Sequence, residues 1–226
     1  MHFKQFYVGC LAHASYLIGD DGEAAVVDPS RDDRQMYLEE AERARPHDHA
    51  GCSETHLHAD FVSGHRELAA RTGATIAHRR ARRGGYPHRR AAEGDEIRDR
   101  RRAGCARSRR PGHTPESLSF LVFEHAGDAK PWAVLTGDTL FVGDVGRVDI
   151  LSSRLPVAEL AGLMYDSLHG KLLTLPDETR GLPGARRGLA CAGATSARTP
   201  GARSAASAMM NAGAHADEPR GSSSPR

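Results

Sequence analysis

Short apolar runs separated by turn residues open the chain. Tyr16-Leu17-Ile18 and Ala24-Ala25-Val26-Val27 flank Gly19-Asp20-Asp21-Gly22, so residues 5–30 are expected to form a hairpin, with Asp28-Pro29 stopping its second strand. Residues 33–44 read as a helix, with Asp32 or Asp33 as its cap. Residues 63–72 read as a second, shorter helix: Ser63 can cap it, Leu68 and Ala69 would face inward, and Gly73 would end it. Ala74-Thr75-Ile76 is a short strand, and residues 117–123 and 132–136 are stronger ones. The clearest helical pattern spans 157–169. Pro156 suits its first turn, Leu160, Leu163, Met164 and Leu168 recur at helical spacing, and Gly170 would end it. Strands punctuated by helices in mixed order imply an α/β or α+β layered sandwich, between which the pattern does not choose.

Three stretches break this pattern. Residues 79–110 are dominated by arginine (Arg79, Arg80, Arg82, Arg83 and many after them), and Ile97 is their sole aliphatic beyond alanine, so no buried strand or helix face is expected there. Residues 45–53 (Arg-Pro-His-Asp-His-Ala-Gly-Cys-Ser) are equally poor in aliphatics. From residue 181 the chain is mostly Gly, Ala, Arg, Ser and Pro, which cannot offset its ordering entropy. The expected organisation is therefore a folded part over 1–179 and a low-complexity tail over 180–226.

Composition narrows the function classes. The 31 Lys and Arg nearly balance 29 Asp and Glu, for a formal net charge of +2, which makes no general case for nucleic acid. The arginine run reads better as a solvated segment than as a nucleic-acid patch, because no aromatic platform accompanies it. No window approaches the roughly 20 apolar residues of a membrane helix, and residues 6–13 lack the long apolar core of a leader. Cys10, Cys52, Cys105 and Cys191 contain no Cys-x-x-Cys pair, and scattered cysteines of this kind suit reduced thiols in a cytoplasm.

Three islands carry the chemistry. Thr55-His56-Leu57-His58-Ala59-Asp60 places histidines at i and i+2, a spacing that suits a loop after a strand; on a helix the two would diverge. Pro111-Gly112-His113-Thr114-Pro115 puts a histidine on a tight turn. Leu135-Thr136-Gly137-Asp138-Thr139 puts an aspartate directly after an apolar strand. Each island alone is weak evidence, since a lone His-x-His is more often a surface feature; together and in this order they point to a metal site.

In these islands the chain resembles the metallo-β-lactamase superfamily, which orders its ligands as His-x-His-x-Asp-His, a His in a Pro-Gly-His-Thr-like turn, and an Asp at a Gly-Asp-like strand end. Phe6–Asp28, Glu54–Gly73, Pro111–Ser119 and Leu135–Arg147 further resemble bacterial persulfide dioxygenases, the glutathione-linked sulfur dioxygenases sometimes fused to rhodanese domains. The resemblance implies a four-layer αββα sandwich, incomplete at its C-terminus because the family pattern stops after Thr179. It implies Fe(II) held by His56, His113 and Asp138, and oxidation of glutathione persulfide to sulfite and glutathione. His58 and Asp60 would orient ligands or hydrogen-bond bound water, with metal binding by His58 as the alternative. Within Gly143–Asp149, Arg147 would contact the anionic thiol substrate and Asp149 would support the site; a plain surface pair is the competing reading. A rhodanese partner and a homodimer are compatible with the same resemblance.

Two further readings stand beside this one. A zinc-dependent thioester hydrolase of glyoxalase II type needs a histidine after the aspartate, where this chain has Phe61, and a late histidine, which 176–190 lack. The arginine-rich, aliphatic-poor text also resembles a GC-rich coding sequence read in shifted frames, which would leave an inactive relative without a stable fold.

Overall fold

The computed structural model describes residues 1–20, 22–43, 48–79, 85–90, 92, 96–97, 104–109, 111–125, 127–142 and 144–185, and for 48–50, 96–97 and 104–109 the backbone alone. Two sheets dominate. The first takes β1 (His2–Val8), β2 (His13–Asp20), β3 (Glu23–Val27), β4 (Asp48–Ser53), β5 (Thr75–His78) and β6 (Arg89–Arg90) in that spatial order. It is antiparallel from β1 to β3 and parallel from β3 to β6. The second contains β7 (Glu96–Ile97), β8 (Gly104–Arg109), β9 (Leu118–Phe123), β10 (Ala133–Gly137) and β13 (Arg180–Pro183), ordered β13-β10-β9-β8-β7. Between β10 and β13 in sequence, β11 (Leu140–Phe141) and β12 (Asp144–Val145) form a small ribbon. The helices are α1 (Arg34–Arg43), α2 (His65–Thr72) and α3 (Val157–Ser167), the last running into a π-helical turn at Leu168–Leu172.

The two-residue period of the strands sorts their side chains into layers. Ala14, Tyr16 and Ile18 of β2 and Val27 of β3 pack between the sheets against Leu118, Phe120 and Val122 of β9 and Ala133 and Leu135 of β10. The intervening residues point outward: Leu17, Ala24 and Val26 meet Tyr37 and Ala41 of α1 and Leu68 of α2. On the far side, Val134 packs with Leu172 and the neighbouring Leu121 and Leu168. Helix, sheet, sheet and helix are thus joined by three apolar layers. Strands buried on both faces read as continuous apolar runs, which is why β2, β3, β9 and β10 were visible in the sequence.

Other elements depart from expectation. β1 pairs with β2 along its whole length, widening the expected hairpin to three strands; its largely exposed text, without a regular two-residue period, hid it. Residues 45–53 and 98–110, expected to hold no core strand, supply β4 and β8. β4 lies parallel between β3 and β5, and β8 is hydrogen-bonded to β9 from Gly104↔Phe123 to Arg109↔Leu118. Strand pairing is made by the backbone, and the sequence of β8 alternates Gly104, Ala106 and Ser108 with Cys105, Arg107 and Arg109, a period that the bulk arginine content conceals. Ser63 does not cap α2; Gly64 precedes the helix, and the Ser63 hydroxyl instead donates to the buried Glu54 carboxylate. Gly170 does not end the last helix, which continues as the π-helical turn to Leu172. The folded part also runs past residue 179, since β13 pairs in parallel with β10. The rest of the expected tail, from 186, lies outside the described residues, as does much of the arginine run.

Candidate metal centre

Each predicted ligand leaves the end of a strand. His56 follows β4, His113 sits on the turn between β8 and β9, and Asp138 follows β10. These loops are stitched together: the Leu118 amide donates to the Thr55 carbonyl (2.7 Å), and the Gly184 amide donates to the Gly137 carbonyl (3.0 Å). Gly137 bends the chain with φ 52°, and a Cβ there would lie 2.6 Å from Thr55 Oγ1. Gly146 is pressed harder still, since a Cβ would run into the Asp138 carbonyl oxygen and come within 3.1 Å of His113 Nδ1. No side chain fits at either position without moving a ligand loop.

The result is one buried cluster. Asp138 Oδ2 lies 3.6 Å from His113 Nε2 and 4.0 Å from His56 Nε2, and the three ligand atoms fall within 4.8 Å of one another. Hydrogen bonds behind the rings fix which nitrogen faces inward. His113 Nδ1 donates to the Arg147 carbonyl (2.9 Å). Thr55 Oγ1 gives its proton to Asp28 Oδ2 (2.8 Å), so it accepts from His56 Nδ1 (2.9 Å). Both Nε2 lone pairs are then free to face a cation.

The electrostatics suit a cation. Burial holds His56 well below its ordinary pKa, helped by the neighbouring His58, His113 and His13. Burial likewise lowers His113, against the opposing pull of the Arg147 carbonyl. Both are therefore neutral, the ligand form of imidazole. Burial pushes Asp138 up to about 7, opposed by His58 and reinforced by Asp28 and Asp60. Among the described residues the two neutral imidazoles are the only basic side chains within 4.0 Å of this buried carboxylate, and the donor set fits zinc or iron.

His58 does not join this cluster. Its Nε2 lies 3.0 Å from Asp28 Oδ1 and 3.4 Å from Glu54 Oε2, forming a second buried group that the sequence reading missed. Burial lowers the basicity of His58, but the two carboxylates outweigh it and push its pKa up to about 9. The Asp28 contact lies off the N–H axis, so it is an attraction of charge rather than an aligned hydrogen bond. Asp28 also accepts from the Thr55 amide and hydroxyl, and Glu54 from Ser63 and His65. With their oxygens so engaged, the carboxylates read as a framework behind His56 rather than a second metal centre. Asp28 is held at φ 53°, uncommon for a non-glycine residue, by Thr55 on its side chain and His13 Nε2 at its carbonyl (2.9 Å). The sequence signals were slight: Asp28 marked a strand end, and Glu54 directly preceded the motif.

The remaining candidates lie around this core. Asp60 sits with Oδ1 4.0 Å from His58 Nδ1, its side chain partly exposed. Phe61 covers His13 and His58, with ring centroids 4.0 and 4.3 Å away. Arg147 makes a two-pronged pair with Asp149 (2.9 and 2.8 Å) at the surface, while its carbonyl holds His113. The surface pair of the sequence reading is present, and Arg147 also acts on the centre through its backbone.

Fold and site together define a metal-site class, and the chain belongs to the metallo-beta-lactamase superfamily, whose family model matches residues 8–185. It is similar to the human protein named persulfide dioxygenase ETHE1, mitochondrial, at 30% identity over 173 residues, covering 73% of this chain and 60% of that protein. The chain thus spans about 60% of the length of this curated relative. Among solved structures it is similar to a metallo-beta-lactamase from Staphylococcus aureus (TM-score 0.75, 35% identity, 85% of this chain and 58% of that one). It is also similar to ETHE1 from Myxococcus xanthus (TM-score 0.70, 30% identity, 85% of this chain and 79% of that one). Among the described residues no helix is long and apolar enough to cross a membrane.

Proposed function

We propose that this chain is a mononuclear non-haem iron persulfide dioxygenase that converts glutathione persulfide to sulfite and glutathione, with His56, His113 and Asp138 holding the metal. The observation that carries this reading is the size of the ligand set. Three buried side chains converge, His58 is engaged by Asp28 and Glu54, and Phe61 stands where a second metal would need a histidine. Two histidines and one carboxylate leave coordination positions open, as in the facial triads of iron oxygenases. Similarity to proteins named persulfide dioxygenase and ETHE1 supports the same reading.

The reaction balances as one persulfide, one dioxygen and one water giving one thiol, one sulfite and two protons. Bound Fe(II) would supply the redox chemistry by which dioxygen oxidises the terminal sulfur. The chain's own groups bind and orient. Asp28, through Thr55, and the Arg147 carbonyl hold the two histidines in their ligand tautomers. Asp60, partly exposed beside His58, would hydrogen-bond bound water. The Arg147 guanidinium, shared with Asp149 at the surface, attracts the anionic substrate. Glutathione chemistry belongs to a reducing cytoplasm, consistent with the free thiols of Cys10 and Cys52.

Oxygen uptake with sulfite release from glutathione persulfide tests this, using protein reconstituted separately with iron and zinc. Iron-dependent uptake matched by sulfite is expected. Zinc-dependent thioester hydrolysis without oxygen uptake would favour the hydrolase, and inertness with both metals would favour an inactive relative.

A further inference from the structure

We propose that the hydrogen bond between Glu54 and His65 is a positioning device for the metal ligand His56, latching helix α2 to the loop that carries it. Glu54 is 1% and His65 8% exposed. Glu54 Oε1 accepts from His65 Nδ1 at 2.7 Å, while Oε2 accepts from Ser63 at 3.2 Å and faces His58 Nε2 at 3.4 Å. One carboxylate at the start of the loop therefore gathers its middle, its end and the first residue of the helix beyond. The backbone closes the same loop where the Arg31 amide donates to the Val62 carbonyl (2.9 Å) and the Gly64 amide to the Pro29 carbonyl (2.7 Å). His56 lies inside this closure, two residues from Glu54 and joined to Asp28 through Thr55.

A packing role alone would be served by an apolar residue, because a buried carboxylate carries a desolvation cost that shape does not require. What the carboxylate adds is direction. Its two oxygens fix the distance from the end of β4 to the start of α2, and so the arc on which the His56 ring hangs. Residues behind a metal ligand that fix its orientation typically change metal affinity ten- to a hundredfold when removed. The proposal rests on the metal-centre reading above, and its test separates the two.

The experiment compares full-length wild type with His65→Asn, His65→Gln and His65→Leu. Asparagine places an amide donor near the position of Nδ1, glutamine places it near Nε2, and leucine keeps bulk without a donor. Metal affinity is read by chelator competition, ligand geometry by the visible spectrum of the cobalt(II)-loaded protein, and folding by a metal-free thermal melt. His65→Leu and His65→Gln are expected to bind metal roughly ten- to a hundredfold more weakly with altered cobalt spectra, and His65→Asn to stay near wild type. If His65→Leu does not fold, the contrast of asparagine with glutamine carries the test. Equal affinity and spectra across the folded variants would overturn the latch. A wild-type chain that takes up no metal would remove the metal-centre reading and the latch with it.

Discussion

Two strands deliver candidate ligands to the cluster, and their sequences have little in common. β10, Ala133-Val134-Leu135-Thr136-Gly137, is buried at every position and packs between the core layers before releasing Asp138. β4, Asp48-His49-Ala50-Gly51-Cys52-Ser53, has no large aliphatic residue, yet lies parallel between β3 and β5 and releases His56. Its small Gly51 and Cys52 line a cavity with Ala24, Val26, Leu68 and Ala74. The Asp138 arm is therefore held by apolar packing. The His56 arm is held by its neighbours' backbones and by a polar framework of Asp28, Thr55, Glu54 and His65. A ligand can be aimed by either means, but the two arms should fail in different ways.

The largest effect on stability is expected in the packed arm. Leu135→Ala should cost about 2–5 kcal/mol in a denaturant titration, by opening a cavity between the sheets, while the folded protein keeps most of its metal affinity. Asp28→Ala should strike the site itself: in the folded fraction metal affinity should fall roughly ten- to a hundredfold in chelator competition, because Thr55 and His56 lose their anchor. Equal responses to the two substitutions would erase the distinction. Gly137→Ala strikes where the arms touch, and overpacking against Thr55 should cost about 1–3 kcal/mol in the same titration. Cys52→Val should stabilise by about 0.5–1 kcal/mol, as a β-branched residue that fills the cavity beside β4. A lower melting temperature would argue against β4 filling that slot.

The last effect is alkaline. Burial pushes the Cys52 thiol and the Tyr37 phenol up to about 12, from 9.0 and 10.0. A folded value above the unfolded one means that the folded state binds the proton more tightly. This contribution is complete below about pH 9 and is lost as pH rises toward 12. Melting temperature should accordingly fall above pH 9 and not below it from these groups. At pH 8 a thiol-alkylating reagent should modify the exposed Cys10 and spare Cys52.

The fold was legible where burial wrote itself into the text. Leu118 to Phe123, Ala133 to Gly137 and the apolar residues of β2 and β3 declared their strands because both faces are covered. β4 and β8 were illegible because their places come from backbone pairing with apolar neighbours, which no local composition reveals. The three candidate ligands, whose side chains the structure brings together, were legible because metal chemistry narrows the residue types and loop placement narrows the spacing. Their supports were not, because Asp28, Glu54 and His65 are polar residues of ordinary kinds whose roles arise only when distant loops meet. Arg147 shows the limit from the other side: its side chain drew notice, while its carbonyl, invisible to any motif, orients His113.

The measurement that tests the central claim most directly is the metal content of the purified full-length chain beside its Asp138→Ala variant, by elemental analysis after reconstitution with Fe(II). About one ion per wild-type chain and a near-metal-free variant are expected from a mononuclear, three-ligand centre. An empty wild type, or equal metal in both proteins, would contradict it.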